Sequence, residues 1–170
     1  MIIGISGYAG SGKDEVANAI LRCNPFWDIK RYSGKLKQVA EILTGETDWE
    51  SQEFKQSYLK WEMTGRQFLQ KLGTDAIRDH LHPDTWVNAL MKDYKPNSNW
   101  IIPDVRFLNE AEAIKERGGI IIRVDRGSPA NSHKSETILD NYRFDFIISN
   151  NGTIDELSDV VKSILTLWNK

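Results

Sequence analysis

The first fourteen residues constrain this chain more than any other segment. An apolar run over 1–6 leads into Gly7, and the pair Gly12-Lys13 follows after four intervening residues. This spacing is typical of a buried strand, a glycine-rich loop and the start of a helix. Gly10 and Gly12 let the backbone approach a phosphate chain, Lys13 reaches the terminal phosphates, and the helix adds the positive end of its dipole. The opening therefore predicts a site for nucleotide phosphates.

One position departs from the usual form of this loop. Asp14 follows Lys13, where a serine or threonine normally offers a hydroxyl to Mg²⁺. A carboxylate can also hold Mg²⁺, directly or through water, and it is a good residue for a helix start. The alternative is a glycine turn that binds nothing. The strand before the loop, the helix after it and the lysine in register favour nucleotide binding, with the metal geometry left open.

Size and composition exclude several classes of protein. A chain of 170 residues with a formal net charge of -2 is most simply one domain, 1–170, and it has no Lys/Arg run that would indicate a nucleic-acid surface. Cys23 is the only cysteine, so no internal disulfide can form. The apolar N-terminus has only the length of a strand, which predicts no membrane span and no signal peptide. We expect a cytoplasmic protein.

Strands and helices alternate along the chain, and several strands are wholly apolar. This pattern predicts an α/β fold of the P-loop type, a three-layer sandwich with about five parallel strands and helices on both faces. The acidic segment 46–60 is interpreted as a surface excursion with some helix, and Gly73 as an interruption of a helix. Strands are predicted at 1–6, 28–32, 100–104, 120–124 and 144–148, and helices at 12–22, 33–43, 64–72, 74–80, 83–94, 109–117 and 154–167.

Ligands of such sheets bind beyond the carboxyl ends of the strands. That rule places the loop 7–14, Ser33, Asp104, Arg126 and Asn150 along one edge. Asp104 follows an apolar run, as an acid that shares a magnesium shell would, although a strand-end aspartate can also cap the next helix.

Several cations are candidates for holding phosphates. Arg106 lies beside Asp104 and can grip a phosphate through paired N–H bonds, or it can form a surface ion pair with Glu110. Lys37 and Arg66 could clamp an anionic acceptor, although either alone is more often a solvated charge.

Two further arginines lie near the end of one predicted strand. Arg126 lies in a polar loop, where a mobile lid could bring it to the transferred phosphate. Arg123 lies within the strand, and we rank it lower. The histidines His80 and His82 have no third ligand in view, so a zinc site is not predicted.

These motifs occur in an order that resembles a known family. The chain is similar, along nearly its whole length, to the bacteriophage-type deoxynucleoside monophosphate kinases, which belong to the P-loop nucleoside monophosphate kinases. The resemblance is carried by the stretches 7–14 (GYAGSGKD), 33–37 (SGKLK), 65–75 (GRQFLQKLGTD), 103–111 (PDVRFLNEA), 123–126 (RVDR), 133–136 (HKSE) and 145–152 (DFIISNNG).

The resemblance implies transfer of the ATP γ-phosphate to a deoxynucleoside monophosphate (dNMP), giving ADP and dNDP for DNA synthesis, with Mg²⁺ as cofactor. It implies an acceptor-binding region at about 33–95 and a lid at about 125–135. A phage origin would place the enzyme in the host cytoplasm, and a homodimer stays open. The implied site residues are Gly10, Ser11, Gly12, Lys13, Asp14 and Glu15 for the ATP phosphates; Asn150 and Asn151 beside the adenine; Lys37, Arg66 and Arg106 for the acceptor phosphate; Gln70, Thr74, Asp75 and Tyr8 for the rest of the acceptor; Asp14 and Asp104 for Mg²⁺; and Lys13, Arg106 and Arg126 for catalysis.

Other functions remain to be weighed against this one. A GTPase is disfavoured, because no Asn-Lys-x-Asp guanine motif occurs. A polynucleotide kinase would need a basic channel, which the composition does not supply. A kinase of another small phosphorylated acceptor, such as phosphomevalonate, and a nucleotide-binding module without turnover stay open. The preferred base is not predicted, and the segment 46–61, which matches the family least, is a candidate for shaping acceptor choice.

Overall fold

The computed structural model describes residues 1–59, 62–127 and 137–168. The chain divides into two compact units, a first unit of Met1–Arg31 with Tyr94–Lys170 and a second unit of Tyr32–Asp93. In chain order the elements are β1 (Ile2–Ser6), α1 (Lys13–Cys23), β2 (Asp28–Ile29), α2 (Tyr32–Thr44), α3 (Gln52–Gln56), β3 (Tyr58–Leu59), β4 (Met63–Thr64), α4 (Gly65–Gln70), a π-helix (Lys71–Arg78), α5 (Thr85–Met91), β5 (Trp100–Ile102), α6 (Leu108–Lys115), β6 (Ile120–Asp125), β7 (Phe146–Ser149) and α7 (Ile154–Trp168).

The first unit is built on a five-stranded sheet in the order β2-β5-β1-β6-β7. Every neighbouring pair is parallel, and Ile3 of the central strand lies opposite Ile101 on one side and Ile120 on the other. The apolar runs of the sequence become strands buried on both faces, as parallel sheets require. The predicted five-stranded parallel α/β fold is confirmed.

The two faces of the sheet are covered by different helices. Ile3 and Ile5 of β1 belong to the main core, together with residues of α1 and α7. On the other face, a Cβ at Gly4 would lie 2.8 Å from the Cδ1 atom of Ile114 on α6, so α6 packs closely there. Alternation along β1 therefore sends successive residues into separate core layers.

The second unit has its own small core, which corrects one expectation. Trp49, in the segment interpreted as a surface excursion, is only 2 % exposed. Its ring packs edge-on against Phe54 at 5.2 Å between centroids and against Phe68 at 5.6 Å. The helix α3, capped by the Ser51 hydroxyl, and the antiparallel pair β3–β4 bring these aromatic rings together. The acidic composition of the segment favours a surface position, and for this reason the sequence did not predict that Trp49 would be buried.

The interruption expected at Gly73 takes the form of a change in helix type. After α4 the chain continues through Gly73 as a π-helix. A Cβ at this position would lie 2.7 Å from the Leu36 Cδ2 atom, so glycine permits close packing against α2. The Trp86 indole N–H donates to the Gly73 carbonyl at 2.9 Å, and π-helical turns are often found at functional sites.

Among the described residues, no helix combines the length and the apolar character that a membrane crossing requires.

We predict that Ile101 is a major contributor to stability, because it is fully buried in the strand between β2 and β1. Ile101→Ala should lower the free energy of unfolding by about 2–5 kcal/mol, whereas Ile101→Val should cost only about 0.5–1.5 kcal/mol. Urea unfolding followed by circular dichroism measures both. Ile42→Ala, at an exposed isoleucine of α2, is the control and should change stability by less than about 0.5 kcal/mol. Equal losses at Ile101 and Ile42 would contradict this description of the core.

Candidate active site

The loop between β1 and α1 has the geometry of a phosphate cradle. The Ser11 N–H donates to the Tyr8 carbonyl at 3.1 Å, which closes the turn. Gly12 adopts a φ of 97°, a left-handed conformation that side chains disfavour, immediately before α1 begins at Lys13. A Cβ at Gly12 would also collide with the amide nitrogen of Asn150. The positive φ therefore favours glycine here, and any side chain would also require the Asn150 amide to move.

Lys13 lies over the loop that precedes it. Its ammonium donates to the Gly7 carbonyl at 2.8 Å and to the Tyr8 carbonyl at 2.7 Å. A cation is thus held at the positive end of an eleven-residue helix. The side chains that follow it, Asp14 and Glu15, are exposed in the first turn. This end of the sheet has the charge and the N–H groups that an anionic ligand needs.

The loop is tied to the ends of the neighbouring strands. The Asn150 side chain, just after β7, donates to the Ser11 carbonyl at 2.8 Å, and its backbone N–H donates to the Asp125 carbonyl at 2.7 Å. Asn151 is exposed and donates to the Ser149 hydroxyl at 3.3 Å. Of this predicted pair, the structure brings Asn150 into contact with the loop.

Asp104 and Arg106 follow the strand on the other side of β1. The Val105 N–H donates to the Ile5 carbonyl at 3.2 Å, which keeps this turn beside the end of the central strand. The Arg106 side chain is exposed. Glu110, which is 2 % exposed, lies in the first turn of α6 and accepts the backbone N–H of Arg106 at 2.7 Å. The pairing of Arg106 with Glu110 thus involves the arginine backbone.

The predicted metal acids have distinct environments. The Asp14 carboxylate pairs with the Arg31 guanidinium at 2.7 Å and keeps 72 % of its side chain exposed, while Asp104 is half-buried. Within the described part of the chain, no three His, Cys, Asp or Glu side chains group as a metal site would need. Single carboxylates of this kind suit Mg²⁺, which keeps waters and phosphate oxygens as its remaining ligands.

A buried arginine lies next to the loop. Arg123 of β6 is 5 % exposed, and its guanidinium donates to Asp125 and to Asp140 at 3.1 Å each. The guanidinium lies over the Tyr8 ring, with Cζ 4.5 Å from the ring centroid, and the Tyr8 hydroxyl donates to Asp140 at 2.8 Å. That hydrogen bond, aided by desolvation, raises the pKa of the Tyr8 phenol. These four residues line a cavity of about 440 Å³ with Phe144 and others.

The predicted acceptor residues lie in the second unit. The Lys37 ammonium, with 14 % of its side chain exposed, pairs with Glu50 at 2.6 Å. Arg66 is exposed and donates to the Gln52 amide at 3.3 Å. Gln70, Thr74 and Asp75 lie at the end of α4 and in the π-helix, at spacings that place them on one side of the helical axis.

Comparison with known proteins decides the family. A family model described as deoxynucleotide monophosphate kinase matches residues 37–161, which is more than half of the chain. The chain belongs to the deoxynucleotide monophosphate kinase family. This confirms the resemblance seen in the sequence and the expectation of a kinase, and membership in this family implies ATP and nucleotide substrates.

Two relatives of this family come from viruses. A protein of Acanthamoeba polyphaga mimivirus, provisionally named a deoxynucleotide monophosphate kinase, is 34 % identical over 178 residues, covering 92 % of this chain and 91 % of the relative. The deoxynucleotide monophosphate kinase of Enterobacteria phage T4 is 33 % identical over 107 residues, covering 59 % of this chain and 44 % of the relative. The chain thus matches less than half the length of the phage protein.

Solved structures share the fold of this family member. Shikimate kinase from Aquifex aeolicus superposes with a TM-score of 0.53 at 14 % identity, covering 98 % of this chain and 96 % of that one. The protein TT1252 from Thermus thermophilus gives 0.54 at 18 % identity with the same coverage. At this level of identity, the likeness concerns the fold alone.

In this family member, the buried Arg123 has more partners near the phosphate loop than its place within a strand indicates. A charged residue inside a run such as 120–125 must find partners when the strand is buried, and Asp125 lies two positions away on the same face. The spacing of Arg123 and Asp125 is the one feature of the sequence that indicates a buried ion pair at this position. Asp140 and Tyr8, which complete the cluster, are distant in sequence, and only the fold brings them together. Arg126 is exposed directly after β6, while 128–135 of the expected lid lies outside the described residues.

We predict that Asn150 supports the phosphate loop of this kinase. Asn150→Ala removes the hydrogen bond to the Ser11 carbonyl and should lower the free energy of unfolding by about 0.5–1.5 kcal/mol. It should also raise the Kd for ATP by about 10-fold, because the loop loses its fixed position. Calorimetric titration measures the affinity. Asn141→Ala, at an exposed asparagine, is the control, and an equal effect of the two substitutions would rule out this role.

Proposed function

We propose that this chain transfers the γ-phosphate of ATP to a deoxynucleoside monophosphate, producing ADP and the corresponding dNDP. The observation that carries the proposal is a phosphate loop with Lys13 in place at the end of the central strand, in a chain whose residues 37–161 match the deoxynucleotide monophosphate kinase family. The mimivirus relative, similar over nearly the whole chain, supports the same reaction.

ATP is the proposed phosphate donor. The N–H groups of the loop from Gly10 to Asp14, and of Glu15 behind them, would hold the phosphate chain. The Lys13 ammonium would neutralise the charge that develops on the transferred group. Asn150 and Asn151 would border the adenine, at the point where the chain leaves β7. Support comes from the contact of Asn150 with the loop.

Mg²⁺ is the proposed metal cofactor, held by Asp14 and Asp104. When bound, it would neutralise phosphate charge and orient the phosphate oxygens for transfer. The donor set fits this ion, because carboxylate oxygens, waters and phosphates are its preferred ligands. The Asp14 carboxylate would exchange its pairing with Arg31 for the metal shell.

The acceptor is proposed to be a dNMP, with its phosphate bound by Lys37, Arg66 and Arg106. Gln70, Thr74 and Asp75 on the helical segment of the second unit would contact its sugar and base, and Tyr8 is a further predicted contact. The nucleophile is an oxygen of the acceptor phosphate, which is already anionic. No general base is needed, so positioning and charge stabilisation carry the reaction.

Arg126 is proposed to approach the transferred phosphate from the segment that follows β6. Its exposure at the start of the expected lid supports this role. The substrates are small molecules, and we propose neither nucleic acid nor membrane as a partner. A homodimer is compatible with the proposal. Because the relatives are viral, we propose that the protein acts in the cytoplasm of a host cell.

The direct test is an ADP-release assay with ATP and Mg²⁺ against dAMP, dGMP, dCMP, dTMP and dUMP and the matching ribonucleotides. We expect ADP release that depends on at least one dNMP and is lost in Lys13→Ala, and the panel identifies the preferred base. The absence of ADP release with every nucleotide, in a protein that still binds ATP, would refute the proposal. It would favour another phosphorylated acceptor or a nucleotide-sensing module.

The two proposed catalytic arginines, Arg106 and Arg126, should affect turnover and not the affinity for ATP. Arg106→Ala and Arg126→Ala should each lower turnover by about 10²- to 10³-fold, because each removes charge stabilisation of the transferred phosphate. The Kd for ATP should change by less than about threefold, since the loop remains intact. Arg143→Ala, at an exposed arginine after α6 and β6, is the matched control. Turnover equal to that of the control would remove these two arginines from the mechanism.

A further inference from the structure

Arg123 is an unusual choice for the interior of a strand. Its side chain is only 6 % exposed, and the adjacent residues of β6, Ile122 and Val124, are apolar. Two carboxylates, Asp125 and Asp140, accept its Nε and Nη2 donors, while Nη1 is buried without a hydrogen-bond partner in the described structure. An apolar side chain would fill this position without such desolvation, so stability alone is a weak reason for an arginine here.

The guanidinium joins three parts of the first unit. Its Cζ atom lies over the Tyr8 ring of the phosphate loop, 4.5 Å from the ring centroid, and over the Phe144 ring, 5.6 Å from that centroid. Asp140, in the stretch between β6 and β7, accepts from Arg123 and from the Tyr8 hydroxyl through its two different oxygens. The chain of contacts therefore runs from the loop, through Asp140, to the last residues of β6.

Both ends of this chain of contacts carry proposed reacting groups. The Tyr8 carbonyl accepts from the Lys13 ammonium at 2.7 Å, so a shift of Tyr8 displaces one of the two carbonyl acceptors of this lysine, the other being that of Gly7. At the other end, Asp125 directly precedes Arg126. A planar guanidinium with fixed donors can hold two carboxylates and a ring at once, whereas a lysine ammonium offers no such plane.

We propose that Arg123 is a positioning residue, which acts through Tyr8, Asp140 and Asp125 to fix the phosphate loop relative to the end of β6 and so keeps Lys13 and Arg126 in register for phosphoryl transfer. The inference rests on the proposed function for its kinetic readout. A small displacement of the reacting groups lowers the rate of phosphate transfer. The affinity for ATP should change little, because the other contacts between the loop and ATP remain.

The test uses Arg123→Lys, Asp140→Asn and Tyr8→Phe, with Arg143→Lys as the matched control. Arg123→Lys and Asp140→Asn should lower kcat by about 10- to 100-fold and change the KM for ATP by less than about threefold. Tyr8→Phe should lower kcat less, because it keeps the ring that stacks on Arg123. The double variant of Tyr8→Phe with Asp140→Asn should lose less than the sum of the two single losses, because both substitutions act on the contact between Tyr8 and Asp140.

Hydrogen–deuterium exchange gives a second readout that does not depend on turnover. The variants should speed amide exchange over 7–13 while leaving exchange in α7 unchanged, which distinguishes local loosening from general destabilisation. If Arg123→Lys fails to fold, Tyr8→Phe and Asp140→Asn decide the question. Unchanged kcat and unchanged exchange over 7–13, or fully additive losses in the double variant, would overturn the inference.

The two proposals fail in different ways. A wild-type protein that phosphorylates no dNMP refutes the proposed function. Amide exchange over 7–13 then still decides whether Arg123 holds the loop. A wild-type protein that is active, with variants that match Arg143→Lys in every measurement, refutes only the role of Arg123.

Discussion

The rest of the first unit depends on how the phosphate loop is attached to the central strand. A loop that aims its N–H groups at an anion cannot also satisfy itself as a helix or a strand does, so it needs support from outside. That support comes from the hydrogen bond of Asn150 to the Ser11 carbonyl, while the Val105 N–H, which donates to the Ile5 carbonyl, holds the end of β1 from which the loop leaves. The central position of β1, with a parallel strand on either side, makes both attachments available.

The same end of the otherwise apolar sheet also holds a buried arginine, whose partners are exposed or half-buried. Arg123 and Asp140 lie where the loop meets the strands, and each is paired with a group of opposite charge or with a hydroxyl. The sheet faces farther from the loop contain isoleucine and valine instead. Polar contacts are thus concentrated at the end of the sheet where phosphoryl transfer, a reaction that relies on positioning, is proposed to occur.

Much of the first unit could be predicted from the sequence, because its signals are local. Strand 1–6, the glycine loop and the amphipathic helix that follows each have a spacing that can be recognised without the fold. The second unit is harder to predict from the sequence, because Trp49 becomes buried only through contacts with the rings of Phe54 and Phe68. The π-helix through Gly73 likewise depends on packing against Leu36 and on a hydrogen bond from Trp86. Candidate site residues were found by motif, whereas their partners required the fold.

The most direct test of the central claim is to follow the label of [γ-³²P]ATP during a single turnover with dNMP present. The account predicts that the label appears in the β-phosphate of dNDP, in amounts equal to the ADP formed, and that Lys13→Ala abolishes the transfer. Label that appears as inorganic phosphate, or that remains in ATP with every dNMP, would contradict it, because the phosphate loop would then bind nucleotide without passing its phosphate to a second nucleotide.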